Sequence, residues 1–320
     1  VDIALSDSGS TGGDGVTVDG STVTVTAGGV YRVTGELSAG RLVVDTDDQD
    51  VTLVLDGVSL TSDAIAAIDV QGADEVIVWL AEGSTNALAS AADASATAED
   101  DTEAANATLY STANLWIAGS GSLTVDAGAE DGITSKDGLV IAGGTLDVTA
   151  ADDGLRGKDH LVISGGDITV DAGGDGLRAD NEDVANDDGE AVGVVWIAGG
   201  TVDVTAGADA IDAYRQVSVE DGALALAAGD DGVTAEGVVH VSGGTIDVST
   251  SYEGLEGGVI RLTGGEGSIV ASDDGVNVSG GTAAGGGAGG GMGGRPERGT
   301  PPGTSQGTDS GTDAGATDAV

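Results

Sequence analysis

Seven acidic residues stand at a near-constant spacing: Asp131, Asp153, Asp175, Asp209, Asp231, Glu253 and Asp274, with successive differences of 22, 22, 34, 22, 22 and 21. Each sits in a unit of the form acid, Gly (Ala210 in one copy), apolar residue, with Ala151-Asp152-Asp153-Gly154-Leu155-Arg156-Gly157-Lys158-Asp159 the fullest copy. Further acids gather round the same units. Asp152, Asp230 and Asp273 precede the periodic acid, while Asp180, Asp212 and Glu256 come after it. Carboxylates brought together from adjacent repeats offer only hard oxygen ligands, a donor set suited to Ca²⁺. A plainer reading is open at each position, because Asp before Gly is ordinary turn chemistry and its side chain bonds local backbone.

The remaining candidates are cations and aromatics. Arg156, Lys158 and Arg178 cluster in consecutive repeats, with Lys136 in the column of Lys158. They either neutralise the neighbouring acids or grip the carboxylates of a polyanion; as a third reading, one acts as the base of a β-elimination. Trp79, Trp116 and Trp196 fall at the outward phase of apolar runs. With Tyr214 and Tyr252 they are candidate platforms for the apolar face of a sugar ring, unless a loop covers them. His160 and His240 stand alone, and no nucleophile, base and acid form a recognisable set.

The elements that must position these residues repeat with them. Each unit is an apolar run, a Gly-Gly turn, a Thr-led alternating strand, the acidic turn and a short third strand, as in Leu139–Ala150 with the acidic unit Ala151–Asp159 after it. A period of this length with short β runs and no helical pattern predicts an all-β right-handed parallel β-helix, a solenoid of about 22 residues per coil. Alternation turns Leu139, Ile141, Leu146, Val148 and Leu155 inward. The solenoid is expected over residues 16–281, with an exposed insert at 87–107 and a longer coil carrying an insertion at 181–192. Residues 1–15 and the Gly-, Pro-, Thr- and Asp-rich residues 282–320 are expected to be disordered.

The balance of 55 acidic against 10 basic residues, formally −45, opposes nucleic acid and anionic membranes as partners. No apolar run is long enough to span a bilayer, and no cysteine is present to form a disulfide. With 2% aromatic residues and 59 glycines, the core must be a column of small aliphatic side chains. A monomer is expected. A first residue other than Met is consistent with a processed, exported chain.

Asp153-Gly154-Leu155-Arg156-Gly157-Lys158-Asp159, Ser251-Tyr252-Glu253-Gly254-Leu255-Glu256-Gly257 and Ser272-Asp273-Asp274-Gly275-Val276-Asn277 resemble the hallmarks of a bacterial carbohydrate-binding β-helix family, first described as a cellulose- and polygalacturonate-binding protein of cellulolytic clostridia. The resemblance runs from Gly35-Glu36-Leu37 through Leu53–Val58 and Asn106–Ser111 to Gly281. It implies a secreted or cell-surface protein similar in fold to pectate lyases, with bound calcium and affinity for plant cell-wall polysaccharide, and without established cleavage. On that reading the Asp-Asp-Gly positions are the preferred calcium ligands. A calcium-dependent pectate-type lyase and a structural adhesion module are the alternatives. Ala210, in place of glycine, and the 34-residue repeat depart from the pattern at Asp209 and Asp180.

Overall fold

The computed structural model describes residues 1–90, 105–128, 130–186 and 189–279. The expected tail at 282–320 and most of the expected insert at 87–107 lie outside these residues. The described chain is all-β, and its 27 strands join in one hydrogen-bonded sheet. Apart from one antiparallel hairpin, Val16–Asp19 with Thr22–Val25, the strand pairings are parallel.

The repeat sets the register. Leu139 pairs with Leu161, Leu146 with Ile168 and Leu155 with Leu177, so each position meets its equivalent in the next repeat. Like residues therefore stack in columns. Val, Leu and Ile at alternate positions fill the interior, and Leu139, Ile141, Leu146, Val148 and Leu155 are all buried there. The absence of bulky side chains is no handicap, since burying one aliphatic side chain contributes about 1.5–3 kcal/mol and dozens are buried.

The expected right-handed parallel β-helix solenoid is corrected by the pairing. Val51–Ser62, Glu75–Leu80, Asn114–Gly119, Gly138–Ile141, His160–Ile163 and Val194–Ala206 are successive parallel neighbours. From Val194–Ala206 the pairing returns through Asp167–Ala172, Thr145–Ala150, Ser122–Ala127 and Thr85–Ser90 to Val51–Ser62. These ten parallel strands close a β-barrel, and the other strands are additions to it. The physical reason lies at the glycine corners. The repeat pattern ends a strand at each such corner, but at Gly57 (φ +79°) and Gly200 (φ +92°) the chain continues as a single strand, one that pairs in two rows and joins them.

Two further expectations are revised. The N-terminal segment is ordered: Asp2–Ser6 pairs parallel with Gly29–Leu37, and Ile3 and Leu5 are buried over the end of the core. Two apolar residues separated by one position sufficed to recruit a strand otherwise rich in Ser, Gly and Asp. Thr85–Ser90 is likewise a strand with Leu88 buried, so the first residues of the expected insert belong to the sheet.

Candidate functional site

The acidic turn joins the strand Thr145–Ala150 to the short strand Leu155–Gly157, and its equivalents stack above and below. Glycine comes after the acid for a steric reason. A Cβ on Gly154 would stand 2.3 Å from Cγ1 of Val170 and 2.7 Å from the carbonyl oxygen of Gly176. The Gly154 N–H donates to the Asp175 carbonyl at 2.8 Å, and Ala210, at the corresponding place, donates to the Asp231 carbonyl at 3.0 Å.

Each periodic acid from Asp131 to Asp231 also accepts a backbone N–H from the next. Asp131 Oδ1 accepts from Asp153 N–H at 3.2 Å, Asp153 from Asp175 at 2.9 Å, Asp175 from Asp209 at 3.0 Å, Asp209 from Asp231 at 2.8 Å, and Asp231 from Glu253 at 3.1 Å. One oxygen of each carboxylate is thus occupied by the fold. The other is left to a side chain or a ligand.

What faces that second oxygen divides the column in two. In the N-terminal half, the outward position of the short strand carries Thr134, Arg156 and Arg178 in register. Asn106 and Thr134 donate to Asp131 Oδ2 at 2.7 and 2.9 Å. Arg178 Nη1 lies 3.0 Å from both Asp153 and Asp175, and Arg156 Nη2 lies 2.5 Å from Asp180. Although burial opposes their charge, these carboxylates hold both guanidinium groups above their ordinary pKa. Neither arginine is available as a proton acceptor.

In the C-terminal half, Asp212, Thr234, Glu256 and Asn277 continue that outward column, and no ion pair among the described residues reaches Asp209, Asp230, Asp231, Glu253 or Glu256. Asp209, Asp230 and Asp231 converge with ligand oxygens within 4.8 Å of one another, as do Asp231, Glu253 and Glu256. Asp231 is common to both groups. Burial first, then the repulsion of neighbouring carboxylates, pushes Asp209 up to about 7 and Asp212 up to about 6. At Asp231 burial, a hydrogen bond with Glu256 and the charge of Asp209 push the carboxyl up to about 8. Glu253 is also raised, burial being the leading cause, while the amide of Asn277 donates to its two oxygens at 2.7 and 2.8 Å.

The structure therefore gathers five of the twelve candidate metal ligands. Asp153, Asp175 and Asp180 are tied to arginine, and Asp212 stands 3.9 Å from Arg178. Asp152, Asp273 and Asp274 lie at the exposed outer side of the turns, outside both groups. Sequence reasoning missed Asn106, Thr134 and Asn277; Thr134 and Asn277 occupy the outward column that aligning the repeats by their acids reveals, whereas Asn106 comes just before Ala107, the register partner of Asp131.

Trp79, Trp116 and Trp196 are 47%, 37% and 40% exposed, and Tyr214 and Tyr252 are exposed as well. Trp116, Val140, Val162 and Trp196 are successive neighbours in one column. Lys136 packs its ammonium 5.9 Å from the ring centroid of Tyr110, and burial lowers its pKa. Lys136 and Lys158 line a polar groove of about 440 Å³ with Asp74, Asp137, Asp159 and Asp183.

Comparison with known proteins places this parallel all-β scaffold, with its stacked carboxylates and exposed tryptophans, in a family. The family model of carbohydrate-binding domain-containing proteins matches residues 19–287. A carbohydrate-binding domain-containing protein of Acetivibrio thermocellus is 41% identical over 217 residues, covering 68% of this chain and 74% of its own length. A solved structure described as the polysaccharide lyase-like protein from C. thermocellum, gadolinium derivative, superposes with a TM-score of 0.70 at 34% identity, covering 75% of this chain and 96% of that one. The chain belongs to the carbohydrate-binding domain-containing protein family.

Proposed function

We propose that this protein is a non-catalytic binder of acidic, polygalacturonate-type polysaccharide, and that it holds the polymer through Ca²⁺ at the C-terminal half of the acid column. The observation that carries the reading is the asymmetry of that column: arginines neutralise Asp153, Asp175 and Asp180, whereas no cation among the described residues pairs with Asp209, Asp230, Asp231, Glu253 or Glu256. The donor set fits the ion. Ca²⁺ takes about 6–8 oxygen ligands, mixing carboxylates, carbonyls and water. Asp231 would contribute to both groups, with Asp209 and Asp230 on one side and Glu253 and Glu256 on the other.

A bound Ca²⁺ supplies the positive charge without which a polyanion is repelled by a protein of net charge −45. The chain's own part is to hold one carboxylate oxygen of Asp209 and one of Asp231 by a backbone N–H, which leaves the other oxygen of each for the ion. In this reading the protein works outside the cell, where such polymers are found.

The test is retention on insoluble polygalacturonate in calcium and in chelator. Retention in calcium alone supports the reading, and equal retention in both refutes it. The lyase alternative draws on the name of the structural neighbour from C. thermocellum. With Arg156 and Arg178 held charged, it leaves Lys158 as the remaining candidate base, and the release of unsaturated oligouronides would establish it.

A further inference from the structure

We infer that the groove lined by Lys136 and Lys158 is a carbonyl-capture site, in which the Lys136 side-chain amine condenses with a small, uncharged, polar aldehyde or ketone. This chemistry is independent of both the calcium and the polysaccharide readings. Lys136 and Lys158 are the only lysines in the chain, and the fold places them side by side. Lys136 N–H donates to the Ser111 carbonyl at 2.8 Å and Lys158 N–H to the Ser135 carbonyl at 3.0 Å. The two therefore occupy equivalent positions in successive repeats, one strand spacing or about 4.8 Å apart. Both line the same groove of about 440 Å³, a volume in the usual range for small-ligand sites.

Two features set this pair apart from other cations of the chain. Neither lysine forms an ion pair among the described residues, in a protein where Arg32, Arg41, Arg156 and Arg178 all do. Lys136 is half-buried against the ring of Tyr110, whereas Lys158 is exposed. Two ammonium groups so close repel, and the one with less access to water gives up its proton the more readily. Burial first, then the charges of Arg156 and Lys158, lower the pKa of Lys136, and Asp131 and Asp180 oppose them without reversing the direction. A lysine desolvated beside a second cation is an amine activated as a nucleophile.

The lining selects the ligand. Asp74, Asp137, Asp159 and Asp183 outnumber the two lysines, so an anion meets net repulsion, while Lys158 opposes a cation. Asn114 and Asn186 accept the N–H groups of Gly138 and Glu190 through their side-chain oxygens, which leaves their amide N–H groups to face a ligand. Amide donors among carboxylate acceptors suit an uncharged molecule with hydroxyl groups beside its carbonyl.

The step balances within the groove. The neutral Lys136 amine attacks the carbonyl carbon, the C–N bond forms, the π pair of C=O moves to oxygen, and a proton passes from nitrogen to that oxygen. The C–O bond of the carbinolamine then breaks, and the hydroxyl leaves as water with a proton from the Lys158 ammonium. The nitrogen lone pair closes the C=N bond, and the proton left on nitrogen returns to Lys158. One water is released, and neither oxidant nor reductant is consumed.

The experiment treats the folded full chain, in chelator at pH 7, with glycolaldehyde and cyanoborohydride, which fixes the imine as a secondary amine. Peptide mass spectrometry then follows each lysine. Lys136 should be modified several-fold faster than the more exposed Lys158, and its rate should saturate with glycolaldehyde concentration. In denaturant the two should react alike. Lys158→Met should slow the reaction at Lys136 several-fold, because the second cation is gone, and Lys158→Arg should keep more of the rate. Equal or faster modification of Lys158 in the folded chain, a rate at Lys136 that rises without saturation, or indifference to Lys158→Met overturns the inference. Retention on polygalacturonate is a separate readout, so either proposal can fail while the other stands.

Discussion

Replacing Asp231 by Asn should stabilise the metal-free protein and abolish most of its response to calcium, an outcome opposite to that of losing an ordinary buried hydrogen bond. Asp231 is pushed from an ordinary 3.8 up to about 8 by burial, the hydrogen bond with Glu256 and the charge of Asp209. At pH 7 the folded state must therefore keep it protonated, or bear the repulsion, while the unfolded chain leaves it ionised. The gap from 3.8 to pH 7 is roughly 3 units at ~1.4 kcal/mol each, or ~4 kcal/mol as an upper bound. Solvent screening at this partly open surface reduces it to ~2 kcal/mol. Asparagine keeps the Oδ1 that accepts the Glu253 N–H at 3.1 Å and adds an amide donor facing Glu256. In chelator at pH 7, thermal unfolding followed by circular dichroism should then show Tm raised by about 5 °C. Calcium should raise the Tm of the natural sequence strongly and that of the variant little. A variant that melts lower in chelator, or that gains as much from calcium, would refute the account of Asp231 as a repelled ligand.

The same carboxylates give a pH dependence. Folded-state values raised to about 7 at Asp209, 6 at Asp212 and 8 at Asp231 mean that the folded protein binds more protons than the unfolded chain. Stability in chelator should therefore be greatest near pH 4 with respect to these groups and fall as pH rises to about 8, and saturating calcium should flatten that slope. Arg178→Met removes the cation shared by Asp153 and Asp175, and should lower stability by about 3 kcal/mol in chelator. The loss should be smaller in calcium, because the freed carboxylates then resemble the C-terminal clusters, and denaturant melts in the two buffers measure the difference. Gly154→Ala should cost more than about 2 kcal/mol in the same assay, since its Cβ collides with Val170 and the Gly176 carbonyl.

The repeat made much of this legible. Spacing alone placed Leu139, Leu146 and Leu155 inside and stacked the acids, because a parallel register carries each residue onto its equivalent. Two things escaped it. The joining of rows at Gly57 and Gly200 depends on whether a glycine corner breaks a strand or bends it, and the residue type is the same in both cases. The division of the acid column depends on outward neighbours one repeat away, Arg178 beside Asp153 or Glu256 beside Asp231, pairs that become adjacent only once the register is known. Ile3 and Leu5 show a third limit, in that two apolar residues in a polar segment become a strand only because an open edge of the sheet is there to receive them.

A repeat that stacks like on like must solve a problem of its own making, since every carboxylate it places meets a copy of itself about 4.8 Å away. This chain uses two solutions in one column. At Asp153, Asp175 and Asp180 the outward strand supplies two arginines as counterions, while Asp131, held by Asn106 and Thr134, is still pushed up to about 7 by burial and the charge of Asp153. From Asp209 onward the same position holds Asp212, Thr234 and Glu256, which add negative charge or leave it unanswered, while the backbone hydrogen bonds continue unbroken through Glu253. Stability alone would favour arginine throughout. That the scaffold persists while its counterions stop is the structural argument that the C-terminal half is kept open for a cation from solution, and with it for a partner that the cation can hold.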